Sequence, residues 1–189
     1  MDFIEGKIRE FETLSGRYAA EFSEMSAEAM DAKPGKDVWS VNECLDHVVQ
    51  VNRSYFERFG AIAEGRARSN PWASIPFLPG MYGKMVLKSV LPTATRKSRT
   101  FPVWYPLKSQ YGRNLASEVG EANRALTAHL KALAGKDPDR TLITSPAAGF
   151  VVYSLRHCLS ILVAHQERHF LQAKRVKDGL LPPAVKTSA

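Results

Sequence analysis

The chain of 189 residues has two cysteines, Cys44 and Cys158, too few for a disulfide framework. It has no run approaching the 18 or so apolar residues of a membrane-crossing helix. The opening Met1-Asp-Phe-Ile-Glu-Gly-Lys carries an early acid and no long apolar core, so it does not read as a signal peptide. A cytoplasmic location is the expectation. There are no internal repeats, no low-complexity tracts and no convincing strand alternation. Helix-turn-helix, zinc-finger and RNA-binding signatures are also missing. The metalloprotease pattern H-E-x-x-H is absent, because Gln166 stands where its glutamate would be.

Acidic residues are missing from one segment altogether. Between Arg66 and Arg113 there are nine Lys or Arg and no Asp or Glu. The whole chain has 26 basic and 19 acidic residues, so removing those nine leaves 17 against 19. The entire positive excess therefore sits in this segment. It reads as a solvated basic connection, and neither nucleic acid nor a membrane is an expected partner. A hydrophobic content of 44% and a charged content of 24% suit one ordinary globular domain, expected over residues 1–180 with a flexible tail over 181–189.

What is present is helical periodicity. Phe3, Ile4, Ile8, Phe11, Leu14, Tyr18 and Phe22 recur at spacings of three and four, giving a first helix over about Phe3 to Met25. Ser40 with Glu43 forms a capping box, so a second helix should run from Val41 to about Glu64. A Pro-rich connection from Gly65 to about Lys108 follows, with a short helix expected over Met81 to Leu91. The third and fourth helices read as about Asn114 to Ala134 and Phe150 to Lys177. Four amphipathic helices with one long crossover predict an all-α four-helix bundle.

His165 and His169 lie four apart on the fourth helix, at the border of its apolar stripe, and His47 lies on the same kind of border on the second. Two imidazoles at that spacing can reach one ion, but a zinc-type site needs a third ligand from elsewhere. His129 reads as a core or rim residue, and His157 and Glu167 as surface residues. Glu43 and Gln172, each one turn from a border histidine, could orient an imidazole, and Glu43 could serve as a general base or simply cap its helix. Trp39, Trp72, Trp104, Tyr82 and Tyr105 could wall a pocket or merely cover the helices.

Trp39-Ser-x-x-Glu43-x-Leu45-x-His47 resembles the start of the second helix in the DinB-like superfamily. His165-x-x-x-His169-x-x-Gln172 resembles the fourth-helix motif of the same family. The motifs lie in the family's order, and the resemblance covers about Phe3 to Val176. It implies a bundle of up-down-down-up order, with the crossover between helices 2 and 3. It also implies a three-histidine divalent metal site made of His47, His165 and His169. Zn²⁺ is the default ion, with Ni²⁺, Cu²⁺ or Fe²⁺ allowed. Family members include transferases and isomerases that use low-molecular-weight thiols such as mycothiol, bacillithiol or glutathione, and members often pair as homodimers. The expected function is a metal-dependent S-transferase or hydrolase acting on a small molecule, the alternative a non-catalytic metal-binding or structural stress-response protein. In such a bundle Cys44 and Cys158 lie roughly 18 Å apart along the axis, too far for a disulfide. Cys44 reads as a small buried apolar residue, or as a thiol made reactive by the nearby metal.

Overall fold

A computed structural model describes residues 2–94 and 100–180. The expected tail over 181–189, and Arg96, Lys97 and Arg99 of the basic segment, lie outside the described residues. The protein is mostly helical, with helices α1 (Phe3–Phe22), α2 (Ala27–Asp31), α3 (Val41–Ser54), α4 (Phe56–Ala63), α5 (Leu78–Val90), α6 (Ala116–Lys131) and α7 (Leu155–Leu180).

Local chemistry sets the helix starts. Asp2 caps α1 by accepting from the Ile4 amide. The capping box of α3 is complete: Ser40 accepts from the Glu43 amide, and the Glu43 carboxylate accepts from the Ser40 amide. The expected second helix is broken at Tyr55. Its amide turns back to Asn52 and Arg53, while the Ser54 hydroxyl donates to the Val51 carbonyl. That back-bonding tightens one turn and separates α3 from α4.

Side-chain contacts give the relative directions of the long helices. Arg17 reaches Glu167, and Glu21 receives Lys174 and Lys177, so α1 and α7 run the same way. Asn123 donates to the Phe11 carbonyl and Asn114 to the Phe22 carbonyl, so α6 opposes α1. The Leu115 amide donates to Asn42, and Asn52 donates to Asn123, so α3 runs with α6. Asn52 also accepts from Gln166, and Tyr55 meets Tyr153 just before α7, so α3 opposes α7.

The core forms two apolar clusters. One holds Ile8, Phe11, Tyr55, Phe59, Leu126 and Leu159. The other holds Tyr18, Phe22, Leu45, Val48, Val119 and Phe170. Each fully buried Leu, Val or Phe adds about 1.5–3 kcal/mol by leaving water. A polar layer separates the clusters, made of Asn52, Asn123 and Gln166, all almost completely buried. Gln166 donates to Asn52 and Asn123 and accepts from Asn123, which also donates to Ser15. The cysteines divide between the clusters, Cys158 in the first and Cys44 in the second, and both are free.

Two strands are present where none was expected. β1 (Leu142–Thr144) pairs antiparallel with β2 (Val152–Ser154), Ile143 opposite Tyr153. The fourth helix therefore starts at Leu155, not at Phe150. A short apolar run such as Val151-Val-Tyr153 fits either a strand or a helix by periodicity, and its β-branched residues decide for the strand.

The described parts of the crossover are held by contacts to the helices and to β2. α5 packs on α7 and β2. A Cβ on Gly83 would sit 2.4 Å from the Cγ of His157, so only glycine permits this approach. The half-buried His157 thus lies under α5, bonded to Ser154 at 2.9 Å, and is not the surface residue expected. The far end of the crossover is held by Asp31, which accepts from Asn42 and from the amides of Tyr111 and Gly112. Burial pushes its carboxyl up, but the three donors outweigh that and leave its pKa below the ordinary value. Among the described residues no helix is long and apolar enough to cross a membrane.

Candidate metal centre

His47 comes from the middle of α3, and His165 and His169 from successive turns of α7. Because α3 opposes α7, the three rings converge. Their centroids lie 4.9 Å (47–165), 4.5 Å (47–169) and 4.5 Å (165–169) apart. One candidate ligand atom from each lies within 4.8 Å of the others, so the three could hold a metal ion. His47 and His169 are buried; His165 is half-buried.

The nitrogens are unevenly satisfied. His47 Nδ1 lies 2.7 Å from the Trp104 carbonyl oxygen. A carbonyl only accepts, so Nδ1 carries the proton and Nε2 offers a lone pair. That Nε2 lies 3.0 Å from His165 Nε2. The Nδ1 atoms of His165 and His169 are buried without a hydrogen-bond partner. Buried polar atoms seldom go unpaired. Two orphaned nitrogens beside a third imidazole are a donor set that fits a divalent ion.

Electrostatics favour the neutral, ligating forms. Burial lowers the pKa of His47 below the ordinary histidine value, against a smaller upward push from the Trp104 bond. Burial also holds His165 well below it, helped by the neighbouring histidines and Arg168. His169 is lowered in the same way, with Gln172 acting weakly upward as a hydrogen-bonding neighbour.

The neighbours fall out unevenly against expectation. Glu43 is a cap: one oxygen accepts from the Ser40 amide and the other from Lys33 at 2.6 Å. Glu167 does not point to open solvent but forms a two-bond pair with Arg17, which also lies 4.4 Å from the Phe170 ring centre. Gln166 points away into the buried amide layer, so it occupies a structural position rather than the place of a general base. The half-buried His129 packs on the Phe56 ring at 4.9 Å and is not among the three clustered histidines. Cys44 and Cys158 are fully buried, and burial pushes both thiols far up, which disfavours the thiolate.

Two groups that the sequence reading offered only as pocket wall or cover, Trp39 and the turn ending at Trp104, touch the histidines directly. The Trp39 ring stacks on His169 at 6.0 Å and tilts over His47 at 5.1 Å. The 3-10 turn Pro102–Trp104 supplies the carbonyl that orients His47. This turn is strapped to α3 by Trp104 Nε1 on Ser54, the Leu107 amide on Asp46, and Gln50 on the Tyr105 carbonyl. A backbone carbonyl leaves no signature in sequence, whereas Trp39 sits inside the quoted motif. Trp72 and Tyr105 are exposed, and Tyr82 packs with Phe150. A cavity of about 410 Å³ lies apart from the three clustered histidines, lined by Ala73, Pro79, Asp139, Arg140, Ser154 and His157 among others.

Comparison with curated proteins and with solved structures gave no match. The sequence model of the DinB superfamily, in contrast, matches residues 10–173, a span that includes all three clustered histidines. The chain belongs to the DinB superfamily.

Proposed function

We propose that the protein is a metal-dependent enzyme of the DinB type, holding a divalent ion, Zn²⁺ by default, on His47, His165 and His169. The observation that carries this is the convergence of three buried or half-buried imidazoles, two with orphaned nitrogens. The supporting frame is a DinB-type four-helix bundle in up-down-down-up order: α1, then α3 with α4, then α6, then α7. The side-chain pairings between those helices favour that order.

When bound, the ion supplies Lewis acidity that lowers the pKa of a water or a thiol. The chain's own residues do the rest. The Trp104 carbonyl fixes the tautomer of His47 and aims its Nε2. Burial keeps the three imidazoles neutral at pH 7. Trp39 shields one side from water, and Gln172 steadies His169. Glu43 holds the start of α3 and moves no proton. Three protein ligands leave room for one exchangeable ligand, as a catalytic site requires. The reaction proposed is transfer of a low-molecular-weight thiol to a small electrophile, with hydrolysis the second choice.

The test is to load the protein with Zn²⁺ and assay conjugation of thiols to chlorobimane. Turnover that disappears with chelator and with His169→Ala supports the transferase. Ester or amide turnover without thiol turnover moves the reading to hydrolysis. Bound metal with no turnover of either kind leaves a non-catalytic metal-binding protein.

A further inference from the structure

Among the described residues the acid-free segment also holds most of the exposed large apolar side chains. Among the described residues, nine of the eleven exposed large apolar side chains lie between Trp72 and Leu107. The sequence ranks a membrane last as a partner, because charge alone cannot distinguish a solvated linker from a docking face. Side-chain exposure makes that distinction.

The coincidence is sharpest on α5. Phe77 at its N-cap, Met81, Lys84, Met85 and Lys88 fall within a sector of about 100° on the helical wheel. Phe77 is 70% exposed, Met81 47% and Met85 54%, and both lysines are exposed. The opposite face, with Gly83 and Val86, packs on the protein. The outer face thus carries three large apolar side chains, two cations and no acid. The C-terminal end of α5 is held by Arg168, which donates to the Ser89 and Leu91 carbonyls one residue before His169. The strap around Trp104, with Phe101, Val103 and Leu107 exposed, borders the same histidines through His47.

We infer that the outer face of α5 and the neighbouring strap dock onto an anionic lipid bilayer. Apolar side chains enter the interface while lysine stems lie along it and their ammonium groups meet lipid phosphates, the usual division in an interfacial helix. A second copy of this chain suits the face less well. Isologous pairing through this face would gather Lys84, Lys88 and their copies in one interface, where the face itself carries no acid to pair them. Nucleic acid would use the cations but leave Phe77, Met81 and Met85 without a role. The inference is independent of the metal-site reading.

The experiment is flotation of the full chain with vesicles of phosphatidylcholine, pure or with about one third phosphatidylglycerol. Binding should appear only with the anionic vesicles and weaken as salt rises. The double variant Lys84→Gln/Lys88→Gln should bind about 30-fold more weakly, roughly fivefold per charge. Met81→Asp/Met85→Asp should abolish binding, with helical circular dichroism unchanged because both sites are exposed. Absence of binding to anionic vesicles at low salt would overturn the inference, as would equal binding by wild type and both variants. A dimer that Met81→Asp/Met85→Asp splits, without vesicle binding, would give the face to a second copy. DNA binding lost in the lysine variant but kept in the methionine variant, again without vesicle binding, would give it to nucleic acid. Either result sinks the lipid assignment.

Discussion

Removing one amide from the buried polar layer should cost an amount set by how many partners it strands. Asn123 is the hub. Its Oδ1 accepts from Asn52 and Gln166, and its Nδ2 donates to Gln166, Ser15 and the Phe11 carbonyl. Asn123→Leu keeps the size but strands one Asn52 N–H, one Gln166 N–H and the Gln166 Oε1. At about 1–3 kcal/mol for each stranded buried group, the loss is roughly 6 kcal/mol. Gln166→Met strands only the Asn52 Oδ1, because Asn123 keeps its bonds to Asn52 and Ser15. Asn52→Leu strands one Gln166 N–H, because the other still donates to Asn123. Those two should each cost about 2 kcal/mol. In a domain of this size a loss of 6 kcal/mol lowers Tm by about 12–24 °C. Urea unfolding of the three variants, with unchanged m, reads the differences directly. Equal losses in all three, or a loss below about 1 kcal/mol in Asn123→Leu, would refute the hub assignment.

Gly83→Ala should destabilise by about 1–3 kcal/mol, since its Cβ would meet His157 at 2.4 Å, and adding His157→Ala should recover most of the loss in a double-mutant cycle. Stability of the metal-free protein should fall on acidification. His47, His165 and His169 have lowered folded pKa values, so the unfolded chain takes up protons first. Their contribution is full above the ordinary histidine pKa of about 6.5 and is lost below it, by up to about 1.4 kcal/mol per pH unit for each group. Urea midpoints in chelator at neutral and acidic pH check the sign, and His165→Ala should flatten the slope. Glu43→Ala should cost about 1–2 kcal/mol through loss of the capping box while metal content stays unchanged, as thermal unfolding and elemental analysis will show.

The sequence carries the long helices openly, because each must bury one stripe and so repeats at three and four. Ser40 and Glu43 even mark the first turn of α3. The break at Tyr55 is not legible, since Tyr55 and Phe59 stay in register on the core face through it. The β1–β2 pair is missed because three-residue strands are too short to show a period. For the site, the spacing of His165 and His169 gives half the cluster, and the family resemblance adds His47. The hydrogen bond that orients His47 comes from a backbone carbonyl some 57 residues away, which no side-chain pattern encodes. Gln166 shows the converse case. In the sequence it only breaks the metalloprotease pattern; the turn of about 100° per residue that separates it from His165 sends it into the buried amide layer.

The most direct test is the metal content of His47→Ala, measured by mass spectrometry after loading with zinc, beside circular dichroism. His47 is the one clustered histidine on α3, so its loss leaves two ligands on α7 alone. The variant should fall from roughly one equivalent of metal to below about a tenth, with its helices intact. His169→Ala should behave alike, while His129→Ala and His157→Ala keep the metal. Full metal retention in His47→Ala would contradict the three-histidine centre and the function built on it.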